Sequence, residues 1–195
     1  MRIIGGTSRG LHLAPVGAGD AAAHLRPTSD RVREAIFNLL INGRVAASGN
    51  PVTGARVLDL FAGTGALGLE ALSRGAAHAT FVDDGKAAQT LLKRNIDALR
   101  AVPTTRTLRA NATRLPPNPG PGFNLIFLDP PYGQTLGEAA LRSAMIGNWL
   151  APGALVVWEE SAPPAPPAGF TALDQRKYGG TVITLLRAPA ALTDL

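Results

Sequence analysis

The chain has 195 residues, of which 46% are apolar, enough for one sizeable core but short for two full domains of ordinary size. It has no cysteine, which excludes disulfides and thiolate metal sites, and its three histidines are scattered, so we expect no metal site. The net charge of +5 is compatible with a polyanionic partner such as nucleic acid but does not require one.

No apolar stretch approaches the length of a membrane span, and the residues after Met1 lack the apolar core of a signal peptide. We therefore expect a protein that has no membrane anchor and works in the cytoplasm.

The first 50 residues predict a small extension. Short apolar stretches at residues 3–4 and 11–13 are separated by glycines and predict a hairpin, followed by a loose Ala/Gly-rich connection. A helix is expected from Thr28 or Ser29 to about Asn42, because apolar residues then recur at helical spacing. We assign residues 1–50 to this extension and residues 51–195 to a catalytic domain.

Residues 51–195 alternate short apolar runs with helical periods, which predicts a parallel sheet covered by helices on both faces. Residues 176–180 are too few for a crossover helix, so an antiparallel hairpin is expected to close the sheet. The predicted fold is therefore α/β and Rossmann-like, with a mostly parallel seven-stranded sheet. The predicted strands are 56–60, 79–83, 107–110, 125–129, 155–159, 170–174 and 181–186, and the predicted helices are 66–74, 86–100 and 136–150.

A strand, a glycine turn and a helix start follow one another in the motif that begins near Asp59. Gly63, Gly65 and Gly68 match the dinucleotide fingerprint, and Asp83 lies where a ribose-binding acid is expected. Taken alone, these residues fit a nicotinamide enzyme. Asp59 argues for another cofactor, because a carboxylate beside the loop would repel a pyrophosphate but attract the ammonium group of a methionine moiety. The motif thus favours S-adenosylmethionine.

The tetrapeptide Asp129-Pro130-Pro131-Tyr132 ends the strand expected beside the glycine-loop strand, so both motifs should face one crevice. An amino group on a nucleic-acid base is a poor nucleophile, since its lone pair is delocalised into the ring, and it needs hydrogen-bond acceptors and a fixed line of attack. Asp129 and the Pro130 carbonyl can be those acceptors, and Tyr132 offers a face for the base. Whether Asp129 takes the proton or only orients the amine stays open at this point.

The Asp-Pro-Pro-Tyr element resembles the signature of enzymes that methylate adenine N6, cytosine N4 or guanine N2. Nearly the whole chain resembles the bacterial RsmD family, through residues 2–6, 26–38, 59–68, 70–76 and 177–181. The resemblance implies a Rossmann-like class I methyltransferase that uses S-adenosylmethionine to methylate N2 of guanine 966 in 16S rRNA.

The resemblance also implies three groups of site residues. The catalytic group is Asp129, Pro130, Pro131 and Tyr132. The cofactor group is Asp59, Phe61, Ala62, Gly63, Thr64 and Gly65, with Asp83 at the ribose hydroxyls and Asn111 and Ala112 near the adenine. The RNA-binding group is Arg9, Arg26, Thr28, Arg31 and Arg33. Two departures from the family pattern are Thr7-Ser8, where a basic or aromatic residue is usual, and Asn111, where an Asp is common.

The expected substrate is 16S rRNA, either naked or in a small ribosomal subunit or assembly intermediate, with the target guanine turned out of its stack. Three alternatives remain. A DNA adenine-N6 or cytosine-N4 methyltransferase would commonly carry a separate recognition domain, and this chain leaves no room for a large one. A nicotinamide-dependent oxidoreductase would bind a dinucleotide, and a non-catalytic RNA-binding module would show no turnover.

Overall fold

The computed structural model describes residues 1–15 and 28–190. The strands in these ranges are β1 (Arg56–Leu60), β2 (His78–Val82), β3 (Thr105–Leu108), β4 (Phe123–Leu128), β5 (Leu150–Glu160), β6 (Thr171–Tyr178) and β7 (Thr181–Arg187). They form one sheet in the order β3-β2-β1-β4-β5-β7-β6. β1 to β5 are parallel, whereas β7 runs antiparallel to both β5 and β6. The predicted mostly parallel seven-stranded sheet with a C-terminal antiparallel hairpin is confirmed.

Four α-helices lie in the described ranges: α1 (Asp30–Asn42), α2 (Ala66–Ser73), α3 (Lys86–Ala98) and α4 (Leu136–Ile146). The Ser29 side chain caps α1 by accepting a hydrogen bond from the Val32 amide. Short 3-10 turns occupy Arg44–Ser48, Val102–Thr104 and Ala112–Arg114. None of the helices in the described ranges is long and apolar enough to cross a membrane.

Three elements, α4, β5 and β6, differ from their predicted bounds by more than two residues, and β5 begins at Leu150 rather than at residue 155. α4 ends at Ile146 rather than at residue 150, because Gly147 and the left-handed Asn148 (φ 57°) turn the chain into β5, which begins at Leu150. β6 continues to Tyr178, past the predicted end at residue 174. Its last residues are mostly exposed and polar, so hydrophobic alternation could not identify a strand that pairing with β7 defines.

Two apolar layers cover the sheet. Along β4, Leu125 and Phe127 point to the layer that holds α1, α2 and α3, whereas Ile126 and Leu128 point to the layer that holds α4. This alternation follows from the two-residue period of a strand. The central strands are therefore buried on both faces, and ligands can reach them only at the ends of the strands.

The N-terminal segment is less regular than the predicted hairpin. Arg2 and His12 form one isolated antiparallel bridge, and the Ile3 amide donates to the Leu11 carbonyl. Ile3 and Leu13 are buried in the same apolar layer as α1 and the sheet. The extension therefore shares a core with the rest of the chain, and the domain boundary at residue 50 stays a prediction.

Glu70, on α2, is completely buried and joins three segments of the chain. Its carboxylate accepts hydrogen bonds from the amides of Ile4 and Gly5, each at 2.8 Å, and from Arg74 Nε at 2.8 Å. Arg33 of α1 is also completely buried, and its Nε lies 3.6 Å from Glu70 Oε2. The extension, α1 and α2 are thereby held together around one carboxylate.

Arg33 also donates to the backbone carbonyls of Arg2 and Thr28. Because its guanidinium is enclosed by these partners and has no exposed surface, the prediction that Arg33 contacts RNA is wrong. The several N–H donors of the Arg33 guanidinium thus link the N-terminal segment, the start of α1 and α2.

We expect Glu70→Ala to lower the free energy of unfolding by about 3–5 kcal/mol, because the Ile4 and Gly5 amides and the Arg74 side chain lose their buried acceptor. Arg33 would keep only the partly exposed Asp30, at 2.9 Å, as its counter-charge. Urea denaturation measures this difference. The control is Glu34→Ala on the exposed side of α1, for which a change within about 0.5 kcal/mol is expected. Equal stabilities for the two variants would contradict the role given to Glu70.

Candidate active site

A crevice with a volume of about 1220 Å³ lies at the carboxyl ends of β1 and β4. The two strands are adjacent and parallel, so the glycine turn and the Asp-Pro-Pro-Tyr segment that follow them open into the same space. Thr28, Ser29 and Val32, at the start of α1, form another wall. The volume exceeds that of most single-ligand pockets, so two ligands can be accommodated side by side.

The crevice brings together most of the residues predicted for the cofactor and for catalysis. Gly65 is not among the lining residues: it is the N-cap of α2, directly behind the turn. The exposed Asn111 lies between two lining residues, but its side chain accepts hydrogen bonds from the amide and hydroxyl of Thr113. The predicted residues that line the crevice are Asp59, Phe61, Ala62, Gly63, Thr64, Asp83, Ala112, Asp129, Pro130, Pro131 and Tyr132.

The glycines of the turn allow a left-handed backbone conformation and close packing of α2 against β2. Gly63 (φ 54°) and Gly65 (φ 77°) adopt the left-handed conformation that side chains disfavour. At Gly68 a Cβ atom would lie 2.4 Å from the Phe81 ring, so only glycine lets α2 approach β2 this closely. Asn95 of α3 holds the turn by donating to the Thr64 carbonyl at 2.8 Å.

Asp59 is almost fully buried at the end of β1. Its Oδ2 accepts a hydrogen bond of 2.9 Å from the Gly68 amide, in the first turn of α2. Burial raises the pKa of Asp59 to about 8; the Gly68 bond lowers it in part and the charge of Asp83 raises it further. A carboxylate thus already occupies the helix N-terminus at which a dinucleotide fold would bind its pyrophosphate.

Asp83 follows β2 and ties the glycine turn to the start of α3. Its two carboxylate oxygens accept from the Gly63 amide at 2.9 Å and from the Gly85 amide at 2.8 Å. Burial raises the pKa of Asp83 above its usual range, although both amide hydrogen bonds lower it. Each oxygen keeps a lone pair that can accept a hydrogen bond from a ligand hydroxyl.

The charges that line the crevice are unbalanced. Lys86 is the one cation among the described lining residues, against the five carboxylates of Asp59, Asp83, Asp84, Asp129 and Glu159. Because burial raises the pKa values of four of these groups, a cationic ligand would favour their ionisation, whereas a pyrophosphate would oppose it. Within residues 1–15 and 28–190, no group of three or more His, Asp and Glu side chains is arranged to hold a metal ion.

Behind the Asp-Pro-Pro-Tyr segment, a hydrogen-bond network connects four elements of the fold. Thr28 Oγ1 lies 3.1 Å from Asp129 Oδ2 and 3.0 Å from Glu159 Oε2. The Tyr132 hydroxyl donates to Glu159 Oε1 at 2.9 Å and lies 3.3 Å from Thr181 Oγ1. Sequence reasoning missed Glu159 and assigned Thr28 to RNA contact. The position of Glu159 near the end of a strand adjacent to β4 was the available signal.

Burial raises the pKa of Asp129 well above its usual range, and the charge of Glu159 raises it further. Burial also raises the pKa of Glu159, whereas the Tyr132 and Thr28 hydroxyls lower it. Burial and the neighbouring carboxylates raise the pKa of the Tyr132 hydroxyl, so it stays a hydrogen-bond donor. The network therefore binds protons more tightly than free carboxyl groups do.

The residues predicted to contact RNA fall into different environments. Arg9 and Arg31 are exposed, and Arg31 is in α1 beside the crevice-lining Val32. Thr28 is buried in the wall of the crevice and is hydrogen-bonded to Glu159, which does not favour a direct contact with the RNA backbone. Arg26 lies outside the described residues.

Comparison with known proteins relates nearly the whole chain to one family. The family model described as "Conserved hypothetical protein 95" matches residues 1–187. Ribosomal RNA small subunit methyltransferase D of Escherichia coli is 39% identical over 93% of this chain and 86% of its own length. The Haemophilus influenzae protein of the same name is 36% identical over 92% of this chain and 89% of its own. The solved structure of Escherichia coli yhhF has a TM-score of 0.80 and 34% identity, covering 98% of this chain and 99% of that one.

We expect Asp59→Asn to stabilise the protein more at high pH than at low pH. A carboxyl group whose folded pKa is raised to about 8 carries no ionisation penalty below its unfolded pKa and accumulates one as the pH rises to 8. Asparagine can still accept the Gly68 hydrogen bond but cannot ionise. The stability difference from the unmodified protein should therefore grow by about 1–3 kcal/mol between pH 6 and pH 8.

Urea denaturation across this pH range measures the difference, with Asp97→Asn on the exposed side of α3 as the control. A difference that stays constant with pH for Asp59→Asn would show that this carboxyl group is not held neutral by burial.

Proposed function

Since the chain belongs to the "Conserved hypothetical protein 95" family, the RsmD family, we propose that it methylates ribosomal RNA with S-adenosylmethionine. The proposed product is N2-methylguanosine in 16S rRNA, at the position equivalent to guanine 966. The RNA is accepted naked, or within a small subunit or its assembly intermediate.

The observation that carries this proposal is the carboxylate-rich crevice, which holds Asp59 and Asp129 at the ends of adjacent parallel strands. S-adenosylmethionine carries a sulfonium and an ammonium group, and both are attracted by this lining. A nicotinamide dinucleotide carries a pyrophosphate, which is disfavoured because the Asp59 carboxyl group already holds the Gly68 amide at the α2 N-terminus. The charge pattern therefore supports the methyltransferase over the oxidoreductase.

The cofactor-binding roles follow from the hydrogen-bonding capacity of each residue. Asp59 lacks a cationic partner among the described residues and would accept the ammonium group. Asp83 has lone pairs free for ribose hydroxyls. Ala112 lines the crevice near the proposed adenine position, whereas Asn111 would have to release Thr113 to reach a ligand. When bound, S-adenosylmethionine supplies an electrophilic methyl group.

The Asp-Pro-Pro-Tyr segment would position the target base. Asp129 and the Pro130 carbonyl accept the two N–H groups of the exocyclic amine, which fixes the direction of its lone pair. The two prolines restrict the backbone that presents these acceptors. Tyr132, half-buried at the crevice wall, would contact the flipped base. Positioning and desolvation of the amine are thus the main contributions of this chain to the reaction.

The proposed activity is tested by transfer of labelled methyl from S-adenosylmethionine to unmodified 16S rRNA, both naked and in small subunits, followed by nucleoside analysis. N2-methylguanosine at a single position is the expected product. Methyladenine or methylcytosine would replace the guanine assignment, and the absence of any methylated nucleoside with both substrates would contradict the proposal.

We expect Asp129→Ala to lower methyl transfer about 100-fold or more, because it removes an acceptor for the amine. S-adenosylmethionine should still bind within about threefold of its normal affinity, since the contacts proposed for the cofactor do not include Asp129. Calorimetry measures the binding and single-turnover assays measure the transfer. The control is Asp97→Ala, whose side chain is exposed on α3. Near-normal turnover in the Asp129 variant would contradict the proposed role.

The exposed arginines Arg9 and Arg31 are proposed RNA-backbone contacts, and Arg26 stays in this group. Each phosphate contact contributes about one unit to the dependence of log affinity on log salt concentration. Arg9→Ala and Arg31→Ala should therefore each weaken RNA binding and reduce that slope by about one. Filter binding at several salt concentrations measures this slope. The control is Arg142→Ala, whose side chain is exposed on α4. An unchanged slope would exclude the arginine concerned from the interface.

A further inference from the structure

The Thr28 hydroxyl lies between two carboxyl groups. Its oxygen is 3.1 Å from Asp129 Oδ2 and 3.0 Å from Glu159 Oε2, both hydrogen-bond distances. A hydroxyl group has one hydrogen, so it can donate to only one of these oxygens. If both carboxyl groups were ionised, the carboxylate that receives no hydrogen bond would face a lone pair of the Thr28 oxygen. Two electron-rich atoms would then repel each other in a site with little access to water. The geometry therefore favours an arrangement in which one of the two carboxyl groups carries a proton and donates it to Thr28.

The hydrogen bonds indicate which carboxyl group carries that proton. Glu159 can accept from two hydroxyls, Thr28 and Tyr132, and such bonds favour its ionised form. Asp129 is close to the charges of Asp59 and Glu160, which oppose its ionisation. The favoured arrangement has protonated Asp129 donating to Thr28, with Thr28 and Tyr132 donating to Glu159.

Among the residues that the structure describes, none of those around Glu159 would neutralise it. The titratable groups that face it are Asp129 and Tyr132, from the segment after β4, while Glu160 follows it on its own strand. Thr28 and Thr181 are neutral neighbours from the start of α1 and from β7. In the described part of the chain, no lysine, arginine or histidine pairs with Glu159. Its remaining capacity is to accept a proton.

We propose that Glu159 is the final acceptor of the proton that leaves the substrate amino group, and that Thr28 passes this proton on from Asp129. The inference rests on the proposed function and adds two positioning residues to it. Asp129 is then both the acceptor that orients the amine and the first member of a proton relay.

The relay balances in atoms and charge. Formation of the N–CH₃ bond breaks the methyl–sulfur bond, whose electron pair stays on sulfur, and the amino nitrogen loses one proton. That proton binds Asp129 Oδ1, the Asp129 Oδ2 proton moves to Thr28, and the Thr28 proton moves to Glu159 Oε2. Asp129 and Thr28 end neutral, as they began. The negative charge lost on Glu159 matches the positive charge lost when the sulfonium becomes a thioether.

Glu159→Gln separates proton transfer from structural support. Glutamine can still accept from Tyr132 and can donate to Thr28, so the network and the fold should persist, but it cannot take a proton. We expect the single-turnover rate of methyl transfer to fall about 100-fold or more, with normal affinities for S-adenosylmethionine and RNA. The control is Asp97→Asn, an exposed carboxyl group on α3 outside the relay, for which the rate should be unchanged. Thermal unfolding verifies that each variant is folded.

The pH profile provides a readout that a structural role would not change. The acceptor must be ionised, and burial raises the pKa of Glu159 above its usual range, so the normal rate should rise with pH as this group ionises. Glu159→Gln should lose that dependence. Thr28→Val, which lacks the hydroxyl, should resemble Glu159→Gln in rate, whereas Thr28→Ser should restore the transfer.

Carbon-13 NMR titration of the carboxyl groups in the free protein tests the shared proton without any assay of activity. Glu159 should ionise at lower pH than Asp129, and Thr28→Val should weaken the coupling between them. Ionisation of Asp129 first, or a normal rate and pH profile in Glu159→Gln, would overturn the relay. Absence of methyl transfer by the unmodified protein would instead contradict the proposed function, and the NMR titration would still decide the order of ionisation.

Discussion

The buried pair of Arg33 and Glu70 is the interaction on which the arrangement of the crevice depends. Glu70 fixes the N-terminal segment through the Ile4 and Gly5 amides, and Arg33 donates to the Thr28 carbonyl just before α1. Thr28 in turn lies within hydrogen-bond distance of Asp129. One buried ion pair therefore sets the position of the wall that faces the catalytic segment. Removing either side chain would leave buried polar groups without their partners, so the segments around the pair are held as a unit.

The crevice concentrates carboxylates that would be more stable in water. Burial raises the pKa values of Asp59, Asp83, Asp129 and Glu159, which means that folding opposes their ionisation. A cationic ligand relieves this repulsion. The same carboxyl groups therefore favour binding of such a ligand and lower the stability of the free protein. The two apolar layers on either side of the sheet supply the stability that allows this arrangement.

Elements with strong local patterns could be predicted closely from the sequence. The apolar run of β1 was placed at residues 56–60, as observed, and the glycine turn was found because left-handed backbone and close packing leave few alternatives to glycine. The end of α4 and the length of β6 were missed. Both depend on tertiary structure. The end of α4 is set by the left-handed Asn148 before β5, and the length of β6 is set by its pairing with β7 along an exposed edge.

The sequence by itself determined the order of strands and helices, the glycine turn and the Asp-Pro-Pro-Tyr segment, because these depend on the spacing of neighbouring residues. The tertiary structure alone decided that Arg33 is buried beside Glu70, and that Thr28 lies between Asp129 and Glu159. Thr28 and Glu159 are 131 positions apart in the chain. Their contact arises because parallel strands bring their carboxyl ends to one edge of the sheet, where α1 also begins. Local spacing carries no information about which distant side chains meet at that edge.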